Sequence, residues 1–205
     1  KFLDLIEGMW SFAIYDKKKC KLILSRDRFG EKPLYYVNLS DGFYFGSEIN
    51  YLKCLISNSL KPRVEDIKNF LSLGYKSIEK FNLTFFEKLK KVQPSNYLVY
   101  EKNKIINKKY WNLKYKQNYK MSHNEIIEKF STKFNLAIKK QLRSDVETAF
   151  YLSGGVDSNS ICSVASKMTQ GNFKTFSIID SDKRYNEKKR INLSNKKIKS
   201  KNYPL

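Results

Sequence analysis

The chain of 205 residues is 41% hydrophobic and 15% aromatic, which suits one or two globular domains and argues against disorder. Its formal net charge is +20, but 34 of the 40 basic residues are lysines scattered over the whole sequence. Because arginine is favoured for bidentate contacts with phosphates and bases, we interpret the lysines as solvated surface rather than a functional basic face, and predict no specific nucleic-acid partner.

The cysteine and histidine content narrows the chemistry. Cys20, Cys54 and Cys162 are far apart, with no metal-ligand spacing and no disulfide framework, so we expect a reducing compartment and a cytoplasmic location. The single histidine, His123, lies in a predicted helix cap, which argues against a histidine-based triad. No apolar run is long enough to span a membrane. The chain begins with Lys1 and lacks a signal-peptide pattern, and we interpret it as a piece of a longer protein.

Apolar and aromatic runs predict antiparallel β-structure at the start of the chain. Residues 8–16 and 22–25 form a predicted hairpin, and residues 35–37 and 43–45 form a second one. A helical pattern begins near Ser47. The aromatic residues of these segments are interpreted as sheet core.

The middle of the chain contains a charged loop, two helices and a junction. Residues 26–36 alternate in charge and contain Gly and Pro, and their plain interpretation is a salt-bridged turn. Residues 64–74 predict a short amphipathic helix, and the polar residues 114–120 predict a domain junction. A long helix is then expected, because Ser122 and Glu125 have the spacing of a capping box.

The most informative stretch is 150–158, which predicts a buried strand, a glycine turn and a helix start. Gly154 and Gly155 are expected to adopt backbone angles that a side chain would forbid. The turn would aim backbone N–H groups and the helix dipole at one point, which suits a phosphate group. The hydroxyls of Ser153 and Ser158 can add donors.

Asp157 suits an anion pocket only if a cation bridges it to the anion, and Mg²⁺ carried in with a nucleotide is the natural candidate. No lysine follows the glycines, so the loop is not the common P-loop. The next helix is predicted to bury Cys162. Residues 174–179 then predict a parallel strand, and strand, helix and strand together predict a doubly wound α/β arrangement.

Two sets of motifs resemble known families. The Ser-Gly-Gly-x-Asp-Ser string at 153–158 resembles the PP-loop of ATP pyrophosphatases, which cut ATP between its α and β phosphates. The strings at 8–13, 26–36 and 46–49, followed by Tyr110-Trp111, resemble the glutamine-hydrolysing asparagine synthetase family in order and spacing. This family combines a class II glutamine amidotransferase domain with a PP-loop synthetase domain.

The chain departs from the family pattern at several positions. Trp10-Ser11 is a modest departure, Ser95-Asn96 replaces Gly-His, and residues 147–149 replace Pro-x-Gly. The last match is Tyr185-Asn186-Glu187, similar to the family's Tyr-Asp-Glu. Residues 188–205 are basic with little periodicity, and we interpret them as a helix start or an out-of-pattern tail.

The resemblance implies a fold of α+β followed by α/β. Residues 1–112 would be the C-terminal half of an Ntn-type glutamine amidotransferase sandwich. Residues 113–205 would be the first strand-helix-strand unit of a PP-loop (adenine nucleotide α-hydrolase-like) doubly wound domain.

The resemblance also implies a function, namely ATP-dependent asparagine synthesis from aspartate and glutamine-derived ammonia, with release of AMP and pyrophosphate. ATP and Mg²⁺ would be required, and the full-length protein could form a homodimer. Asp157 would bind the metal, and Leu152 and Ile178 would lie against the adenosine. The implied ATP-binding residues are Leu152, Ser153, Gly154, Gly155, Asp157, Ser158 and Ile178. No residue is assigned to glutamine hydrolysis, because the family's nucleophilic cysteine is expected upstream of Lys1.

Two alternatives remain open from the sequence. One is a relative of the same fold that amidates or cyclises another acid, as in surface-sugar amidation or β-lactam formation. The other is a non-catalytic basic binding module. The residues that select the acid acceptor are expected beyond Leu205 in this family, so the sequence does not discriminate between acids.

Overall fold

A computed structural model describes residues 2–56, 60–74, 83–117, 120–170 and 173–205. The chain divides into two compact units, Lys1–Tyr115 and Lys116–Leu205. This division lies three residues beyond the predicted domain boundary, within the predicted polar junction. Among the described residues, none of the helices combines the length and the apolar character that crossing a bilayer demands.

The first unit is mostly antiparallel β-structure. Its elements, in chain order, are α1 (Phe2–Leu5), β1 (Ser11–Asp16), β2 (Lys21–Arg26), β3 (Tyr35–Leu39), β4 (Gly42–Gly46), α2 (Ile49–Leu55), α3 (Val64–Leu73), β5 (Lys90–Lys91), β6 (Asn96–Glu101) and β7 (Lys104–Lys109). The strands form one four-stranded sheet in the order β1-β2-β6-β7 and one three-stranded sheet in the order β4-β3-β5. Both predicted hairpins are confirmed, as β1–β2 and β3–β4.

The apolar side chains of these sheets form two buried clusters. The first consists of Leu24, Leu34, Tyr36, Val92 and Leu98. The second joins β3 to α2 and consists of Val37, Leu52, Ile56 and Leu89. The interpretation of the aromatic residues as sheet core is confirmed in part, because the rings of Phe43 and Tyr100 stack at 4.3 Å against the first cluster.

The charged loop after β2 is organised around the buried carboxylate of Asp27, which is fully inaccessible to solvent. Its Oδ1 accepts hydrogen bonds from the N–H groups of Phe29 (3.1 Å) and Glu31 (3.0 Å), and its Oδ2 accepts one from Lys32 (2.9 Å). Burial alone would raise the pKa of Asp27, but these backbone donors outweigh it and lower the pKa. The interpretation as a salt-bridged turn is therefore wrong, since backbone N–H groups satisfy this carboxylate.

Ser95 stands where the family has glycine, and the loop explains how serine is tolerated. Its φ of 62° is in the left-handed region that favours glycine. Two hydrogen bonds hold it there, from its N–H to the carbonyl oxygen of Asp27 (2.9 Å) and from its hydroxyl to that of Arg28 (2.7 Å).

The second unit is a parallel α/β structure. Its elements are α4 (His123–Gln141), β8 (Ala149–Tyr151), α5 (Val156–Thr169), β9 (Lys174–Ser177), α6 (Lys188–Ile198) and β10 (Lys201–Pro204). The sheet order is β10-β9-β8, with both pairings parallel. The predicted capping box is confirmed, because the Ser122 hydroxyl accepts from the Glu125 N–H and the Glu125 carboxylate accepts from the Ser122 N–H.

Of the two interpretations of residues 188–205, the helix start is confirmed and the out-of-pattern tail is wrong, because these residues form α6 and the third parallel strand, β10. Ile191 and Ile198 lie seven residues apart on one face of α6 and are buried, at 1% and 4% exposure. Tyr203 of β10 stacks on Phe176 of β9. Two buried isoleucines among many lysines are a weak periodic signal, which is why the sequence left this helix as one of two alternatives.

Candidate functional site

The loop between β8 and α5 has the predicted strand-turn-helix form and lies at the carboxyl end of a parallel strand. Gly155 is the N-cap of α5, with φ −81° and ψ 157°, and no side chain makes a cap hydrogen bond there. The first N–H groups of this helix, with the positive end of its dipole, are the groups that bind anions at helix N-termini.

The predicted reason for the two glycines is wrong. Neither Gly154 nor Gly155 has a positive φ. Gly154 is instead required for space, because a Cβ there would lie 2.9 Å from Oε1 of Glu187 and 3.0 Å from Cδ of Arg190. At Gly155 the nearest atom to such a Cβ is the Ser153 hydroxyl oxygen, at 3.3 Å.

The structure brings the two predicted serines together. The hydroxyl oxygens of Ser153 and Ser158 lie 2.8 Å apart, and Ser158 Oγ accepts from the N–H of Ser153 (3.2 Å). Ser153 Oγ accepts from the N–H of Gly155 (3.2 Å). These hydrogen bonds connect the loop to the first turn of α5 and place two hydroxyl groups beside the start of that helix.

Asn159 of α5 contacts the loop and was missed by the sequence analysis. Its amide nitrogen donates to the carbonyl oxygens of Ser153 (2.9 Å) and Gly155 (2.6 Å). Both carbonyl oxygens are thereby hydrogen-bonded within the loop and the first turn of α5. The signal was its position four residues after the N-cap, where an amide reaches back to the preceding turn.

Glu187 and Arg190 were also missed as loop contacts. Glu187 is the N-cap of α6, and its Oε2 accepts a hydrogen bond from the N–H of Gly154 at 3.0 Å. The side chain of Arg190 packs against the same glycine. No local pattern could have shown these contacts, because Glu187 is 33 residues from Gly154 in the sequence.

Asp157 lies in the first turn of α5, and its side chain is exposed. Within the described ranges, it makes no ion pair with a lysine or arginine. Nor do those ranges hold a group of three or more His, Cys, Asp or Glu side chains that could bind a metal ion. A single free carboxylate beside a phosphate site fits Mg²⁺, which takes one or two carboxylates together with substrate phosphates.

The two predicted adenosine contacts have different surroundings. Leu152 is 2% exposed and packs with Cys162, Phe173 and Ile191, so its side chain lies in the hydrophobic core of the unit. Ile178 directly follows β9 and is 72% exposed, so it is free to contact a ligand. Burial of Cys162 is confirmed, and it raises the pKa of the thiol to about 11.

Comparison with known families matches both units of the chain. A profile of the glutamine amidotransferase domain matches residues 1–111, and a profile of asparagine synthase matches residues 129–205. The chain belongs to the asparagine synthetase family. Family membership agrees with the mixed α/β structure.

Several known proteins are similar to the chain. Asparagine synthetase [glutamine-hydrolyzing] 2 of Bacillus subtilis is 34% identical, over 91% of this chain and 26% of its own length. Asparagine synthetase [glutamine-hydrolyzing] 3 of Bacillus subtilis is 30% identical, over 80% and 26%. Amidase chyE of Penicillium rubens is 32% identical, over 83% and 25%. The chain therefore spans about a quarter of the length of these relatives.

Proposed function

We propose that the start of α5, together with Ser153 and Ser158, binds the phosphates of Mg²⁺-ATP in a ligase that makes asparagine. The observation that carries this proposal is the open N-terminus of α5 at the carboxyl end of β8, with two hydroxyls and an unpaired carboxylate beside it. Donors and a metal-binding group thus converge where an asparagine synthetase relative is expected to hold ATP.

The loop residues have separate roles in this proposal. The N–H groups at the start of α5 and the hydroxyls of Ser153 and Ser158 bind phosphate oxygens. Asp157 holds Mg²⁺, which neutralises charge on the departing pyrophosphate when it is bound. The loop's own hydrogen bonds fix both hydroxyl oxygens, so only the hydroxyl hydrogen shared between Ser153 and Ser158 has to turn toward the phosphate.

The proposed reaction has two steps. A carboxylate oxygen of aspartate attacks the α-phosphorus of ATP, the bond from that phosphorus to the bridging oxygen breaks, and pyrophosphate leaves with the electron pair. Ammonia released from glutamine then attacks the acyl carbon, loses a proton, and displaces AMP to give asparagine. Among the described residues we assign no group to glutamine hydrolysis. A cytoplasmic location and a homodimer remain predictions.

A second candidate is the amidation or cyclisation of a different acid in the same fold. The comparisons give this candidate weight, because the relative named an amidase is 32% identical to the chain, within the 30–34% range of the two synthetases. ATP–pyrophosphate exchange, measured on the natural protein that contains this chain, separates the two. Exchange that depends on aspartate supports asparagine synthesis, and exchange that depends only on another acid overturns it.

The metal role of Asp157 is tested by Asp157→Asn, with affinity for ATP measured by titration calorimetry on the chain. We expect binding of Mg²⁺-ATP to weaken about ten- to a hundredfold, the range for loss of a charge-assisted contact. In EDTA the same variant should bind ATP at least as tightly as the wild type, because a negative charge near the phosphates has been removed.

Asp145→Asn is the matched control, because Asp145 is also exposed and precedes β8 at the opposite end of the strand. It should leave both affinities unchanged. Equal losses for Asp157→Asn with and without Mg²⁺ would refute the metal role.

A further inference from the structure

The first turn of α6 closes one side of the phosphate loop. The two carboxylate oxygens of Glu187 both lie at Gly154, one accepting its N–H at 3.0 Å and the other 2.9 Å from where a Cβ would be. The Cβ and Cδ of Arg190 would lie 3.1 and 3.0 Å from the same point. This face of Gly154 is therefore filled by protein side chains.

A second set of hydrogen bonds joins β9 and β10 to Leu152, the residue just before the loop. Ser177 of β9 donates its hydroxyl hydrogen to the carbonyl oxygen of Leu152 at 2.7 Å. The side-chain amide of Asn202 in β10 donates to the hydroxyls of Ser177 (2.9 Å) and Thr175 (3.0 Å). Thr175 and Ser177 are buried, at 0% and 1% exposure, so these bonds are shielded from water.

The same series of hydrogen bonds continues to the last turn of α6. Thr175 and Ser200 share a hydrogen bond between their hydroxyls at 2.9 Å. Ser200 donates to Oδ1 of Asn195 at 2.6 Å, which leaves Thr175 as the donor of the shared bond. Both ends of α6 are thereby bonded, directly or through the sheet, to backbone atoms that flank Ser153.

These contacts indicate how the loop conformation is maintained. Leu152 is held through its carbonyl oxygen and Gly154 through its N–H, so Ser153 lies between two anchored peptide groups. Ser153 in turn bonds to Ser158 and Gly155. A change at Glu187 would therefore reach the hydroxyls and N–H groups that face the start of α5.

We propose that Glu187 is a positioning residue for nucleotide binding, which it supports by fixing the peptide group of Gly154. This inference rests on the proposed binding of Mg²⁺-ATP at the loop. The opposing possibility is that the carboxylate occupies a position meant for a phosphate. Arg190 packs on the same face of Gly154, so side chains fill the space that a phosphate would need there. We therefore interpret the contact between Glu187 and Gly154 as permanent. Gly154 then supplies no N–H to the phosphates, unlike the role first assigned to it.

Three variants of the chain test the role of Glu187. Glu187→Ala removes the acceptor, whereas Glu187→Gln keeps a carbonyl oxygen that can accept the Gly154 N–H. Glu147→Ala is the control, because it removes a carboxylate that pairs with Lys174 at 2.7 Å at the opposite end of the sheet. Hydrogen exchange of the Gly154 amide is measured by NMR, affinity for Mg²⁺-ATP by calorimetry, and the midpoint of thermal unfolding by circular dichroism.

We expect Glu187→Ala to speed exchange of the Gly154 amide at least about tenfold and to weaken Mg²⁺-ATP binding about tenfold, as for loss of one hydrogen bond to a charged group. Glu187→Gln should restore most of both, and Glu147→Ala should change neither. If Glu187→Ala does not fold, Glu187→Asp, which is one methylene shorter, replaces it with the same expected direction. A purely structural role would lower the unfolding midpoint of Glu187→Ala but leave its affinity for Mg²⁺-ATP intact.

Each contrary result has a distinct meaning. Tighter binding of Mg²⁺-ATP by Glu187→Ala would show that the carboxylate blocks the site and would overturn the positioning role. Unchanged affinity in Glu187→Ala, with normal binding by the wild type, would overturn the positioning role alone. No binding by the wild type would overturn the proposed function and the inference together.

Discussion

Two loops of this chain present backbone N–H groups, and they differ in which groups accept them. In the loop after β2, three N–H groups bind the buried carboxylate of Asp27. In the loop before α5, the N–H of Gly154 binds Glu187, but the helix N-terminus has no side-chain cap, and the nearby Asp157 is exposed. The first loop supplies its own anion, whereas we propose that the second binds an anion from outside.

The glycines of the two loops differ in one respect. Gly30 has a φ of 69°, so its loop needs glycine for a backbone conformation that other residues rarely adopt. Gly154 has no such angle, but a Cβ there would lie close to the side chains of Glu187 and Arg190. Close packing limits both positions, since a Cβ at Gly30 would lie 2.8 Å from Cγ of Pro94, and only Gly30 adds the left-handed backbone.

The largest effect is expected from Asp27→Ala, which would leave several buried N–H groups without an acceptor. We predict a loss of about 3–5 kcal/mol in the free energy of unfolding, measured by urea denaturation. Asp41→Ala is the control, because Asp41 is exposed and should change the value by less than about 0.5 kcal/mol. A loss of that small size for Asp27→Ala would show that the loop does not depend on its internal carboxylate.

Gly154→Ala should have the next largest effect, because the added methyl group would overlap sterically with the side chains of Glu187 and Arg190. We expect the free energy of unfolding to fall by about 1–3 kcal/mol, as for other overpacked sites. Gly155→Ala should cost less, about 0.5–1 kcal/mol, because its φ of −81° suits alanine but alanine is a poorer N-cap than glycine. Equal costs at the two positions, measured by urea denaturation, would contradict the packing explanation.

A smaller, pH-dependent effect follows from the lowered pKa of Asp27. Its pKa in the folded protein is below the ordinary value of 3.8, so the unfolded chain binds this proton more readily than the folded one. The stabilisation is therefore fully present above about pH 4 and is lost as the pH falls through the folded-state pKa. Urea denaturation between pH 2 and 6 should show a decline at low pH that Asp27→Asn reduces; an unchanged decline would count against this assignment.

Local signals explain which features could be predicted from the sequence. The hairpins follow from apolar runs around polar turns, and the start of α4 follows from the spacing of Ser122 and Glu125. The strand-turn-helix at 150–158 was equally accessible, because all its determinants lie within nine residues. Motif resemblance added the family, which the comparisons confirm.

The missed features depend on contacts between distant parts of the chain. The hydrogen bond from Gly154 to Glu187 spans 33 residues, and the one from Ser177 to Leu152 spans 25. The position of α6 depends on Ile191, which packs in the core with Leu152, the residue just before the loop. A sequence pattern records which residues are apolar or glycine, but not which side chain of another element fills the adjacent space.

The central claim is that the loop before α5 binds an external anion while the Asp27 loop does not. NMR of the backbone amides during titration with Mg²⁺-ATP tests it directly, because both loops are observed in one experiment. We predict saturable shifts of the amides of residues 155–158 and no shifts for residues 29–32. Shifts of equal size in both loops, or none at 155–158, would contradict the account.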